Sequence, residues 1–321
     1  MKLDTTEISP ATSVPGSADR IGSGAPARFI PSWRRFKGFI FFAVVLAAVF
    51  YRPLGALLAF APHEELYSHI LLIPFISGFL IWSKRDLVVL ESQPWRAMAA
   101  VPVAIGALAL AGYGLGMRQG WTFTAPDYLA AMMVAFLCFL LAGAFWFVPR
   151  SYLKSILFPV AFLAFCIPFP KFVRDGIETF FQYGSADVAY GMLKLSGMSV
   201  LKTETLFQMP GFSLNVQPEC SGIHSSLVLL ITSLLASYLF LQRPLSRWIF
   251  VLTVIPLALV RNGFRVFCLG QIGVHFDPLI LNSWFHHHGG PLFFLLSLVP
   301  LFLLLRYLIG REARKQQSKA I

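Results

Sequence analysis

Residues 217–241 read QPECSGIHSSLVLLITSLLASYLFL. From Ser225 to Leu241 no residue is charged, and a helix needs about 20 mostly apolar residues to cross a bilayer, so this stretch reads as a membrane span over 221–241. It begins with Cys220, preceded by Glu219 and followed four residues later by His224. Runs of the same kind recur at 38–60, 66–82, 97–117, 127–148, 153–169, 247–267 and 290–307, giving roughly eight spans. The chain of 321 residues is 57% hydrophobic and 13% charged, too few charges to cover a water-soluble domain of that length. The predicted fold is an all-α polytopic helical bundle. Its net charge of +11 does not point to nucleic acid, because the basic residues fall between the apolar runs, where they orient a membrane protein.

Three regions follow from this reading. Residues 1–37 begin with a Ser-, Thr-, Gly-, Pro- and Ala-rich stretch expected to be a disordered cytoplasmic tail, closed by the cluster Arg28, Arg34, Arg35 and Lys37. Residues 38–307 form the transmembrane domain, and 308–321 a basic cytoplasmic tail. The cluster before the first span resembles a signal peptide, but it lies late and no small-residue cleavage site follows, so an uncleaved first helix is expected.

The linkers alternate in charge. Lys84, Arg85 and Arg96 separate spans two and three; Arg150 and Lys154 join four and five; Arg243 and Arg247 join six and seven. PHEELYSH and MRQGWTFTAPD, with the single Arg118, are poor in Lys and Arg. All basic linkers share one side if both termini are cytoplasmic. The large segment 170–220 then lies outside. Its first half spaces Phe172, Val173, Ile177, Phe180, Phe181, Val188, Met192 and Leu195 as an amphipathic helix for the membrane surface. Its second half turns at Pro210-Gly211 and reads as a hairpin or loop.

This topology brings three kinds of chemistry to one membrane depth. Cys220 sits at the outer start of span six, Arg261, Asn262 and Arg265 near the outer end of span seven, and His286, His287 and His288 at the outer start of span eight. A helix N-terminus lowers a thiol's pKa, an imidazole titrates near neutrality and can serve as acid or base, and a guanidinium can hold an oxyanion. Together they make an acyl-transfer site.

The strings PECSGIHSSLVLL (218–230), RNGFRV (261–266) and FHHHGGPLFF (285–294), with YSHILLIPFISGFLIW at 67–82, resemble the exosortase/archaeosortase family over roughly 38–307. The resemblance implies a multi-pass membrane cysteine protease or transpeptidase. Its substrates would be exported proteins with a C-terminal signal: a Pro-Glu-Pro-type motif, a membrane helix and a basic tail. It also implies an inner-membrane location with the site facing the periplasm, and a link to exopolysaccharide production. On the matching positions it places the nucleophile at Cys220, the arginine at Arg265 with Asn262 as its partner in the Asn-x-x-Arg pattern, and the histidine at His286, four residues before Gly290. The tandem His287 and His288, and His224 on what would be the same helix face as Cys220, leave the base open among them.

Other readings weigh against these. A disulfide of Cys220 with Cys166 or Cys268 is the structural alternative, whereas Cys138 reads as mid-span packing. Arg265 alone is more often a snorkelling residue, Arg261 a supporting one, and His69 a packing or substrate-contacting residue. Consecutive histidines do not converge on one ion, and no Cys pair or carboxylate is spaced beside them, even with His224 and His275 added. No metal or cofactor is expected. Membrane lipids are expected partners; nucleic acid is not. A polymerase, ligase or flippase for lipid-linked glycans would use the same outer Arg and His groups for pyrophosphate, and a transporter would instead place charges mid-membrane in paired halves, which is not seen here.

Overall fold

In a bilayer every backbone donor and acceptor must be satisfied within its own segment, which leaves helix as the form for apolar runs of this kind. The computed structural model describes residues 33–84, 93–217, 222–275 and 284–320. The helices are α1 (Trp33–Val49), α2 (Tyr51–Phe60), α3 (Ile73–Ser83), α4 (Ala100–Arg118), α5 (Ala125–Phe147), α6 (Arg150–Ser155), α7 (Leu157–Phe162), α8 (Lys171–Leu195), α9 (Ile223–Phe240), α10 (Pro244–Leu252), α11 (Val254–His275) and α12 (Trp284–Ala320), with a tight 3-10 segment at Glu65–Leu71. Among the described residues six helical segments are long and apolar enough to span a membrane. Two bent pairs, Lys37–Val49 with Tyr51–Phe60 (72°) and Leu157–Cys166 with Lys171–Leu195 (92°), raise the number to eight. The expected polytopic all-α bundle is what the chain forms. Large apolar side chains such as Phe41, Phe75, Phe79, Leu108 and Leu296 stand exposed around it, as a lipid-facing surface requires. The expected tail over 1–37 lies outside the described residues, apart from Trp33–Lys37, which open α1.

One end of the bundle gathers the basic linkers. Lys84 Nζ donates to Ser155 O at 2.9 Å and lies over the Tyr238 ring, as does Arg247; Arg150 stacks on Trp95 and Arg96 on Trp146. The α9–α10 turn is held there by α12. The carboxylate of Glu312 accepts the backbone N–H groups of Gln242 (2.9 Å) and Arg243 (3.1 Å), capping α10. The segment 308–320 is therefore a continuation of α12, docked on the bundle through Glu312.

The opposite end carries the segment 170–217. The Pro210-Gly211 turn joins β2 (Leu206–Met209) to β3 (Phe212–Asn215), and β1 (Leu201–Thr203) pairs with β2, so the expected hairpin is part of an antiparallel sheet in the order β1-β2-β3. Proline presets the first turn position and Gly211 takes the positive φ (75°) of the second. Phe207, Met209 and Val216 close a core with Ala186, Ala189 and Leu193 of α8 and Val266 of α11. α8 meets the rest of the protein through small residues rather than through its largest apolar ones. Ser185, Ala186 and Ala189 are buried, while Phe172, Phe180 and Leu195 stay exposed. The reason is closeness of approach: a Cβ on Gly263 of α11 would lie 2.6 Å from Val188 Cγ1, and one on Gly184 would lie 2.8 Å from Leu259. Two backbones this near leave room only for small residues.

α10 and α11 together span Pro244–His275, 32 residues. At about 1.5 Å per residue that is a rod of roughly 48 Å, longer than a hydrocarbon core of about 30 Å. From Leu259 onward it is packed by α8, and at Val266 and Gly270 by the sheet as well.

Candidate active site

The first turn of α9 sets the site. Gly222 precedes it with φ 72°, ψ 19°, the left-handed region, where a side chain is strained. No side chain caps this helix start. The Gly222 carbonyl accepts from Ser226 N (3.0 Å), Ser226 Oγ (2.7 Å) and Ser225 Oγ (3.1 Å). Ser226, Ser233 and Ser237 are all buried and their hydroxyls bond carbonyls of their own helix, so α9 presents a narrow polar face without unmatched hydroxyls.

α11 packs on that face and contributes its arginines. Arg261 is 7% exposed; its Nη2 donates to Gly222 O (3.3 Å) and to Ser226 Oγ (3.2 Å), and its Nη1 is buried with no hydrogen-bond partner among the described residues. A Cβ at Gly222 would sit 3.1 Å from both Arg261 Nη2 and Asn262 Oδ1. Arg265, one turn on and half-buried, is near enough to act electrostatically on Arg261. The depth match follows from helix length: α9 is 18 residues, and Arg261 stands 17 residues beyond Pro244, both about 26 Å from the basic end.

α12 arrives beside them. Phe264 and Phe293 pair edge to face at 6.0 Å, so His286, seven residues before Phe293, stands about 9 Å farther along the axis than Arg265 if the two helices run antiparallel. His286, His287 and His288 occupy the first turn of α12; their side chains lie outside the described part of the structure. Cys220 and Glu219 also lie outside the described residues. The expected i,i+4 relation of His224 to Cys220 falls on a residue outside the described ones; His224 itself stands in the first turn of α9, which starts at Ile223 behind a left-handed Gly222.

Behind α9 lies the segment Glu65–Leu71. Tyr67 is buried and donates to Phe169 O at 3.2 Å. With His69, Ala164, Phe165, Ile167 and Phe169 it lines a cavity of about 140 Å³. His69 is electrostatically coupled to His224, and Nδ1 of each is buried without a partner among the described residues. His69 is thus an inward-facing neighbour of the α9 start.

Cys138, Cys166 and Cys268 are free thiols, so the disulfide considered between Cys220 and Cys166 or Cys268 is absent. The sequence anticipated Arg261 only as a supporting residue, and its hold on Gly222 was missed. The available signal was a guanidinium deep in a span, which must find a carbonyl or an anion, opposite a Ser-Gly pair at a helix start.

No curated protein and no solved structure matches the chain. The family model described as transmembrane exosortase (Exosortase_EpsH) matches residues 61–303, from just before the Glu65–Leu71 segment into α12, and the chain belongs to that family.

Proposed function

We propose that this multi-pass membrane protein is a cysteine protease or transpeptidase that cleaves C-terminal sorting signals of the Pro-Glu-Pro type from exported proteins, with Cys220 as nucleophile, Arg265 as oxyanion-binding group and His286 as acid and base. The observation that carries the reading is the bond from Arg261 to Gly222 O. It fixes the chain two residues after Cys220 against the helix that bears Arg265. The Cys220 thiolate adds to the scissile carbonyl carbon, forming a C–S bond and moving the carbonyl electrons onto oxygen, where the Arg265 guanidinium receives the charge. Collapse of this intermediate expels the amine as His286 protonates it, leaving a thioester. Water or a second amine, deprotonated by the same imidazole, then attacks the thioester and releases the thiol. The basic linkers gathered at the far end support a cytoplasmic location for that end by the positive-inside tendency. The site then faces the periplasm of an inner membrane, where exported proteins and exopolysaccharide pass.

The test is co-expression with an exported reporter carrying a Pro-Glu-Pro motif, a membrane helix and a basic tail. Wild type should shorten the reporter, and Cys220→Ala, Arg265→Gln and His286→Ala should each leave it uncut. Undiminished processing by Cys220→Ala would remove the nucleophile, and dependence on the arginines alone would favour a glycan-pyrophosphate substrate.

A further inference from the structure

We infer that the groove between α4, α5 and the first turn of α8 binds one phospholipid with a primary-amine headgroup, an acyl chain lying between α4 and α5 and the headgroup between Lys171 and Asp175. The groove has a volume of about 970 Å³. It exists because two helices that touch at one level part at the next. At Gly106 of α4 an added Cβ would lie 3.0 Å from the Phe139 ring and 3.3 Å from Ala135 O of α5, whereas at Gly112 it would meet nothing within 4 Å. The two levels are about 9 Å apart along the helix. Leu108, Ala109 and Gly112 form one wall, and Ala130, Ala131 and Val134 the other. Leu108 is 71% exposed at the edge, so the groove opens toward the surrounding hydrocarbon. Apolar space of this kind does not hold water, and left empty it forfeits dispersion contacts along both walls. An acyl chain is the occupant that the surroundings offer.

Toward the end of the bundle that carries residues 170–217 the groove changes character. Tyr113, Trp121, Phe123 and Phe172 ring it there, a set of aromatic side chains suited to headgroup level. Tyr113 packs on Phe123 (4.9 Å) and on Tyr128 (5.6 Å), which fixes this rim. Beyond the rings stand Lys171 and Asp175, four residues apart and therefore on one face of α8. A cation beside an anion matches a headgroup that carries both signs: the lysine ammonium donates to the phosphate, and the Asp175 carboxylate accepts from the lipid amine. Asp175 already receives Arg174 Nη2, but at 3.5 Å, a long contact that leaves lone pairs for a further donor. Asp127 has a different part. One of its oxygens accepts Thr124 N (2.9 Å) and Thr124 Oγ1 (2.6 Å), and the other accepts Lys171 N (2.7 Å). That last bond ties the start of α8 to α5, so the Lys171 and Asp175 pair keeps one place over the groove. A choline headgroup has no N–H for Asp175, and a glycerol headgroup has no cation, so the pair favours the primary amine over both.

The experiment is native mass spectrometry of the full-length protein in detergent, titrated with dioleoyl phosphatidylethanolamine, phosphatidylcholine or phosphatidylglycerol and read as lipid retained. Wild type should hold one phosphatidylethanolamine about tenfold more tightly than either of the others, the worth of one charge-assisted hydrogen bond. Gly112→Phe fills the groove from a position where an added side chain meets nothing close, and should weaken that lipid by about tenfold or more. Gly55→Phe, at an equally open position on α2, should leave it unchanged. Lys171→Gln should weaken all three lipids alike, because each has a phosphate. Asp175→Asn should weaken phosphatidylethanolamine alone and erase the preference. Undiminished retention of phosphatidylethanolamine by Gly112→Phe, or equal retention of the three lipids by wild type, marks annular lipid only and overturns the inference. If Gly112→Phe does not fold, an Asp175→Asn protein that keeps the preference overturns it instead. A Gly112→Phe protein that retains the lipid but no longer processes the reporter assigns the groove to the reporter's membrane helix, which also overturns it.

Discussion

Replacing Gly222 by Ala tests the site's architecture with a single methyl group. Two costs add. Holding alanine at φ 72° costs about 1–2 kcal/mol, the penalty of the left-handed region for an L-residue. The new Cβ also meets Arg261 Nη2 and Asn262 Oδ1 at 3.1 Å and Asn262 Cγ at 3.2 Å. These atoms must withdraw by a few tenths of an ångström, and the Arg261 to Gly222 bond, already 3.3 Å, is the one to break. A hydrogen bond from a charged donor contributes about 1.5–3 kcal/mol, so the total is about 2.5–5 kcal/mol. The chain contains its own controls. Gly197 (φ 80°) and Gly211 (φ 75°) share the backbone conformation, yet a Cβ at either meets nothing within 4 Å. Alanine there isolates the backbone penalty. At on the order of 2 °C per kcal/mol for a chain of this length, Gly222→Ala should lower the unfolding midpoint in detergent by about 5–10 °C, and each control by about 2–4 °C. Reporter processing should be lost only with Gly222→Ala. A Gly222→Ala protein no less stable than Gly197→Ala, and still active, would show that α11 does not hold the α9 start as described.

Three further substitutions probe the remainder of the bundle. Glu312→Gln removes the ionised acceptor shared by the Gln242 and Arg243 N–H groups; it should cost about 1–3 kcal/mol, seen as a lower unfolding midpoint. Gly143→Ala places a methyl 2.3 Å from the Phe42 ring and should part α1 from α5 at a cost of about 1–3 kcal/mol. Gly78→Ala, with nothing within 4 Å, should be neutral or stabilise α3 by up to about 1 kcal/mol, and the pair is read by the same thermal assay.

The membrane spans were legible because continuous apolar length is a one-dimensional signal, and the stretch after Ser225 shows it as clearly as any. The charge alternation of Lys84, Arg96, Arg150, Arg243 and Arg247 was legible for the same reason, and these residues do meet at one end. Breaks inside spans were not. Phe50 and the Ile167–Pro170 turn bend helices by 72° and 92°, and hydropathy is insensitive to direction. The contacting face of α8 was not legible, because the largest apolar residues carry the periodic signal, while Gly263 of α11 is met by Val188 and the Ser185 carbonyl. Arg261 was seen but underrated. Its importance comes from Gly222, thirty-nine positions away, a pairing that spacing along the chain does not encode.

The rod from Pro244 to His275 acts as a screw. Each residue advances it by about 1.5 Å and turns it by about 100°, and Glu312 sets its starting angle by gripping Gln242 and Arg243. The azimuth at which Arg261 meets α9 is therefore fixed by a residue count made at the far side of the bilayer. One amino acid inserted between Thr253 and Arg261 would swing both guanidinium groups more than a quarter-turn off the seam with every one of their own atoms unaltered.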